Sequence, residues 1–410
     1  MNKRTILVGS LAFSILFGKA QKPKNKAFKV RETEVELLYN HYIQDGDNSA
    51  VTGGEGTERL IVYGPSFGLK KTFGKNGINF QLGADIISSA STDNIDRVQS
   101  SASRLDARSY TNLGYSRYFE KSKSSISIGL SGSIESDYFS FGKYLGWTKT
   151  SKSDMQTYSA ELQVFNDDLR WGRLDDGFLS EPQFLIYPVE LRFQEWYDEY
   201  KRDSYNLNLG FTQVLDQRNT IGIFTALSLQ KGLLATPFHR IFFTDNTRAV
   251  EQLPDQRQKL AISLKWNTFT SGGVILRNKI AGYTDDFGIL GLTIDNETAI
   301  KLSPKWTLLP SARYYIQQGS KYFAAKGEHD ANETYYTSDY DLSSINSLTI
   351  GMGWRHWPAV RKNRGLHSFS IQYFYYSRSN GLRAHTLATS FNFLKKKALK
   401  EKRPKRRNKN

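Results

Sequence analysis

The sequence predicts an all-β protein: a transmembrane antiparallel β-barrel of about sixteen strands, with long extracellular loops and short periplasmic turns. Three observations predict it. Many segments of about ten residues alternate apolar and polar side chains, the period-two signature of a strand with two unlike faces. No run of about 20 apolar residues is present to cross a bilayer as a helix. The connections between the alternating segments also sort by length, the long ones all falling on one rim.

The first strand is read at 34–43, where Val35, Leu37, Tyr39, His41 and Ile43 share a face. The strands that follow are read at 58–73, 78–88, 107–119, 124–138, 142–152, 155–165, 204–215, 219–230, 256–269, 273–284, 287–302, 305–318, 345–357 and 366–377. Ile126, Ile128 and Leu130 alternate with serines. Tyr158, Ala160, Leu162 and Val164 alternate with Ser159, Glu161 and Gln163. The same rhythm carries Tyr205 to Phe211, Leu260 to Trp266 and Leu348 to Trp354. Pro65 and Pro310 each remove a ladder donor and count against their strands, though a bulge could absorb each. The last strand, 382–393, puts Leu387, Thr389, Phe391 and Phe393 on one face. An unpaired edge is not tolerated in lipid, so this strand is expected to close the barrel against 34–43.

The long connections are 44–57, 89–106, 166–203, 231–255 and 319–344, all odd-numbered in order. The even-numbered ones are tight, apart from 358–365. This is the outer-membrane pattern, and a β-sandwich has no reason to sort its loops so. Aromatics crowd near strand ends, as at Tyr115, Tyr118 and Phe119, where interfacial girdles are expected.

The composition agrees. The chain has 410 residues, 39% hydrophobic and 13% aromatic, and its mean hydropathy is −0.52. A barrel hides its membrane signal because every second residue faces a polar interior. There are no cysteines, which excludes disulfides, thiolate chemistry and a lipoprotein anchor.

The net charge of +16 would suggest nucleic-acid binding if it were spread over the chain. It is not. Residues 394–410 hold ten Lys/Arg and one Glu, residues 21–31 five basic residues, and the first twenty residues three, leaving −1 for Glu32 to Phe393. No nucleic-acid partner is expected. Lys3 and Arg4, the apolar stretch 5–17 and Gly18-Lys19-Ala20 read as a signal peptide cleaved near Ala20. The expected divisions are therefore signal peptide 1–20, basic periplasmic segment 21–33, outer-membrane barrel 34–393 and a basic, disordered periplasmic tail 394–410. The expected partners are outer-membrane lipid, the barrel-assembly machinery during biogenesis, and a periplasmic protein or anionic lipid at the tail.

The loop phrases are distinctive. They include QDGDNSAVTGGEGTE (44–58), SASTDNID (89–96), SSASRLDAR (100–108), GLLATPFHRIFF (232–243), EQLPDQRQKL (251–260), GEHDANETYYTSDYDLS (327–343) and SRSNGL (377–382). With these phrases the chain, over roughly 34–393, resembles domain-of-unknown-function family 3570, outer-membrane β-barrel proteins of Gram-negative bacteria. The resemblance implies a barrel in the outer membrane and brings no activity, substrate or catalytic residue. The basic tail departs from it.

Alternation turns Asp85, Glu135 and Glu161 inward from early strands. It turns Lys265, Arg277, Lys279, Lys301, Arg313 and Arg355 inward from late ones, with Asp295 and Glu297 interrupting the basic set. Acid on one wall and base on the other would set a transverse field across a wet lumen. The alternative is a lumen plugged by loop 166–203, in which these charges pair. Among loop residues, Asp45, Asp47, Asp93, Asn94, Asp96, Asp339 and Asp341 could offer oxygen to calcium, or simply shape turns. No complete calcium loop is present, and no cofactor is expected. His239 or His329, near Arg240 and Glu328, could act as a base oriented by Asp330, Asp339 or Asp341. Three readings follow: a pore for ions or small polar solutes, a loop-mediated binding or assembly module, and a rim hydrolase. The pore is placed first.

Overall fold

The computed structural model describes residues 30–89, 105–135, 138–169, 200–236, 239–358 and 364–398. The signal-peptide reading, loop stretches 90–104 and 170–199 and the tail beyond Ala398 lie outside them. The strands are β1 (Val30–Asp45), β2 (Leu60–Phe73), β3 (Asn76–Ser89), β4 (Leu105–Phe119), β5 (Ser124–Glu135), β6 (Tyr138–Thr150), β7 (Gln156–Asp168), β8 (Lys201–Val214), β9 (Asn219–Gly232), β10 (Arg240–Phe242), β11 (Arg248–Val250), β12 (Gln256–Phe269), β13 (Val274–Asp285), β14 (Leu290–Lys301), β15 (Trp306–Gln318), β16 (Ile345–His356), β17 (Arg364–Arg378) and β18 (Arg383–Ala398). All but β10 and β11 form one closed antiparallel barrel of sixteen strands, each beside its sequence neighbour. No helix among the described residues is long and apolar enough to cross a membrane. The crossing is made by strands, whose backbone groups all pair with neighbours once the sheet is closed.

β1 and β18 close the sheet over sixteen residues each, with Leu37 opposite Phe391 and Val35 opposite Phe393. The apolar face of alternation is the exposed, lipid-facing one. Leu37, Leu82, Leu113, Ile128, Leu162, Ile223, Leu264, Ile294, Ile350 and Phe391 all lie on it and are all exposed. Trp306 stacks on Trp354 near the short-turn rim, with ring centroids 4.4 Å apart. This is the interfacial aromatic belt expected of a membrane barrel.

The connections sort as the sequence predicts. The short rim is built from tight turns. In one of them, hydrogen bonds to Asp216 from the Asn219 side chain and from the Arg218 backbone hold its carboxyl below the usual carboxylate range.

Three expectations need correction. Neither proline causes a bulge. The β2–β3 ladder omits Gly64 and Pro65 but resumes in the same register at Ser66 and Gly83. Pro310 stays opposite Met352 on β16. A missing donor costs a bond without displacing the chain: the β14–β15 ladder likewise skips Pro310 and resumes in register, and the one register shift among the described strands lies at Leu366/Ser368. The β5–β6 hairpin closes early, Glu135 facing Tyr138, so β6 starts four residues before its expected position. Finally, the seam runs past the expected limits of 34 and 393. Glu32 pairs with Lys396, their charged ends 3.1 Å apart, so the first residues of the basic tail belong to the wall.

Candidate functional site: the lumen wall and its cover

Opposite the lipid face lies the inner wall, and the register sets the charged residues of that parity as follows. Asp85 stands on β3 directly opposite Arg108 of β4. Arg108 also reaches Glu135 at 3.9 Å. The Glu161 carboxylate accepts a hydrogen bond from Gln163 at 2.7 Å. Arg277 pairs with Glu297. Arg313 grips one oxygen of Asp295 through Nε at 2.7 Å and a terminal nitrogen at 2.5 Å. Lys301 is exposed at the short-turn mouth. Arg355 lies among Glu297, Arg277 and Glu36.

The acid wall is therefore less pure than alternation alone implied. Arg108 sits within it, and Glu36 on β1 belongs to the same inward row as Glu32. Both residues could have been found in the sequence, since Leu113 and Leu37 fix which parity faces lipid. The charges remain unequally paired. Lys265, Lys279 and Arg355 make no ion pair within 4.0 Å among the described residues.

Inward aromatics lie flat against this wall. A Cβ on Gly129 would overlap the Tyr144 ring and one on Gly114 its hydroxyl, one on Gly83 the Tyr110 ring, and one on Gly351 the Phe374 ring. Each ring occupies the space a neighbouring side chain would have filled. No sequence period marks these positions; they depend on which residues become cross-strand neighbours.

At the long-loop rim three connections knit together: 46–59, 233–255 (which carries the β10–β11 hairpin) and 319–344. The hairpin turns on Asn246 at φ 65. The Asp245 carboxyl there accepts from Thr247 Oγ1 and its backbone N–H, which hold it below its usual range. Gln252 and Tyr336 exchange backbone hydrogen bonds at 3.2 and 2.8 Å. Lys326 reaches Glu55 at 2.9 Å. Beneath them Leu234, Leu253, Phe287, Ile289 and Leu342 form a buried apolar cluster.

The sequence-predicted loop residues serve this cover. His239 is 3% exposed and His329 1% exposed. The Glu251 carboxylate accepts from the Thr236 backbone N–H at 2.6 Å and Thr337 Oγ1 at 2.5 Å, and lies 3.3 Å from His239 Nδ1. His329 meets Glu333 at 2.6 Å and the Thr337 carbonyl at 3.0 Å. None of the aspartates expected to orient these rings does so. Asp330 accepts from Asn332, Asp339 from the Asp341 backbone N–H, and Asp341 from Arg378 at 2.5 Å. Both rings are buried, each beside a glutamate, and His329 also lines a small pocket at the rim. Glu328 accepts from the Ala325 N–H, and Arg240 is the first residue of β10. Asp45 ends β1 opposite Arg383, and Asp47 is exposed. No group of three or more His, Asp and Glu among the described residues could hold a metal. Asp93, Asn94 and Asp96 lie outside the described residues.

Fold, loop sorting and lipid face together define a transmembrane β-barrel of the outer-membrane class. The chain belongs to the family of proteins of unknown function DUF3570, whose model matches residues 100–392. No curated protein matches it. Among solved structures it is similar to OccK1 (OpdK) of Pseudomonas aeruginosa, at 8% identity and TM-score 0.39 over 90% of this chain and 99% of that one. It is similar to a BenF-like porin from Pseudomonas fluorescens Pf-5, at 9% identity and TM-score 0.43 over 88% and 98%. A bacterial polysaccharide outer membrane secretin matches at 8% identity and TM-score 0.43 over 90% and 98%. Likeness at this level bears on neither solute nor partner.

Proposed function

We propose that this barrel is a water-filled channel for ions or small polar solutes across the outer membrane. One observation carries the reading: Lys265, Lys279 and Arg355 face the lumen without an ion-pair partner. A charge in a dry interior must be paired or it neutralises, whereas a charge facing water needs no partner. Sixteen strands enclose enough space for that water, and flattened aromatics keep it clear. The cover restricts entry from the outside and makes the channel selective by size. Single-channel recording of the purified chain in planar bilayers tests the reading. Discrete conductance steps are expected; a folded, heat-modifiable barrel that stays electrically silent would overturn it.

A second reading, a binding module at the outer rim, has its own support. Residues of loop 319–344 line a pocket of about 290 Å³, among them Lys321, Tyr322, Glu333 and Tyr335. A silent barrel whose rim captures a solute would favour it.

A further inference from the structure

Lys265 and Lys279 are directly opposite each other on β12 and β13. Directly opposed residues have Cβ atoms about 4.5–5.5 Å apart, and like charges placed so repel. Lys279 has a carboxylate neighbour across the other strand boundary, Asp295 of β14. That carboxylate is already held by two nitrogens of Arg313. Three cations thus share one acid, and the two ammonium groups are left over. Neither makes an ion pair within 4.0 Å among the described residues. The Lys265 ammonium rests instead 4.7 Å from the centroid of the Phe224 ring. Phe224 is itself seated over Gly210 and Gly222, whose missing side chains leave room for it. Both lysines are partly buried in the wall, so their charge is only partly relieved by water.

Resting on the channel reading, we propose that Lys265 and Lys279 form an anion-binding step on the lumen wall, taking the oxyanion group of a small carboxylate- or phosphate-bearing solute. Each ammonium carries three donors and no acceptor. Two of them, side by side, can hydrogen-bond separate oxygens of one anion and remove their own repulsion by doing so. Arg313 is committed to Asp295 and sets the far edge of the step. Phe224 offers an apolar ledge beside it for the solute's carbon frame. The anion meets the step from the lumen and leaves by the same route, because the wall behind the lysines is lipid-facing.

The test uses the purified full-length chain in planar bilayers in potassium chloride, with acetate and inorganic phosphate as probes. Wild type should conduct anions in preference to cations, and phosphate or acetate should reduce the chloride current saturably. Each of Lys265→Gln and Lys279→Gln should raise the half-blocking concentration about tenfold, the worth of one hydrogen bond to a charged group. The double variant should lose both block and anion preference, and Lys279→Arg should keep them. Block by both probes identifies the shared oxyanion chemistry; block by one alone names the solute class. Unchanged block in the folded double variant overturns the step and leaves the channel standing.

A second readout does not depend on current. Acylation of Lys279 by a small water-soluble amine reagent, followed by mass spectrometry, should be slowed by either probe. If wild type is electrically silent, the channel reading falls, and protection of Lys279 still decides the anion site. Absence of protection overturns it.

Discussion

Arg257 and Lys279 sit on neighbouring strands and face the same interior, yet they are treated differently. Arg257, near the covered rim, is gripped by Asp285 through Nε at 3.0 Å and again through a terminal nitrogen. Its side chain is 7% exposed and that of Asp285 is not exposed at all. Arg378 with Asp341 and Arg202 with Asp167 repeat the pattern. Lower on the wall, Lys265, Lys279 and Arg355 make no ion pair within 4.0 Å among the described residues. The barrel therefore has an upper storey where these buried charges are matched and a lower one where three cations are not. On the channel reading the difference follows from solvation. A buried ion with no partner loses its hydration and gains nothing in return, while an ion at a water-filled wall keeps both its charge and its freedom.

The comparison is broken most directly at the dry end. Asp285→Ala strands the Arg257 guanidinium under the cover, and removing one partner of a buried pair costs about 3–5 kcal/mol. The expected result is a lower melting temperature and rapid protease cleavage of loop 319–344. Survival of the cover would show that water already reaches Arg257. Next in size is the lipid face. Phe391→Lys should cost about 2–4 kcal/mol if it falls at mid-membrane and less near an interface. Loss of the heat-modifiable band on gels measures it.

Gly129→Ala crowds Tyr144, and overpacking of this kind costs about 1–3 kcal/mol. The ring must leave the wall, so the barrel should still assemble but conduct less. Equal single-channel conductance would mean that the flattened ring does not keep the lumen clear. Smallest of all is Lys279→Ala, expected to shift stability within about 0.5 kcal/mol, since it removes a charge that has no ion-pair partner and stands opposite Lys265. A loss comparable to that of Asp285→Ala would make the wall as dry as the cover, and the channel reading would go with it.

What could be read in the sequence divides along the same line. Val35, Leu37, Phe391 and Phe393 announce their face because a period of two survives any uncertainty of one or two residues at strand ends. So do Asp85, Lys265 and Arg355, which take their side from apolar neighbours. Pairing is another matter. Whether Asp295 meets Arg313 or leaves it free depends on register, and a one-residue slip would exchange every partner. The cover was least legible. Glu251 and Thr337 lie 86 residues apart, follow no period, and meet only because two loops fold over one mouth. The burial of His239 and His329 was hidden for the same reason: a loop sequence does not disclose which side chains its own fold will enclose.

The seam between β1 and β18 has a consequence in time. Thr389 donates to the carbonyl of Tyr39 across 350 residues of sequence. Contacts of such separation form late, since the entropy of closing the loop must be met before the contact can repay it. Until then the chain carries two open edges, each a template for pairing with any strand nearby. A ribosome that stops short of residue 383 releases a product that cannot close at all, however well its other fifteen strands pair. Completion of the last strand is thus a check on the integrity of the whole message, and incomplete chains are exposed by their free edges to whatever clears them.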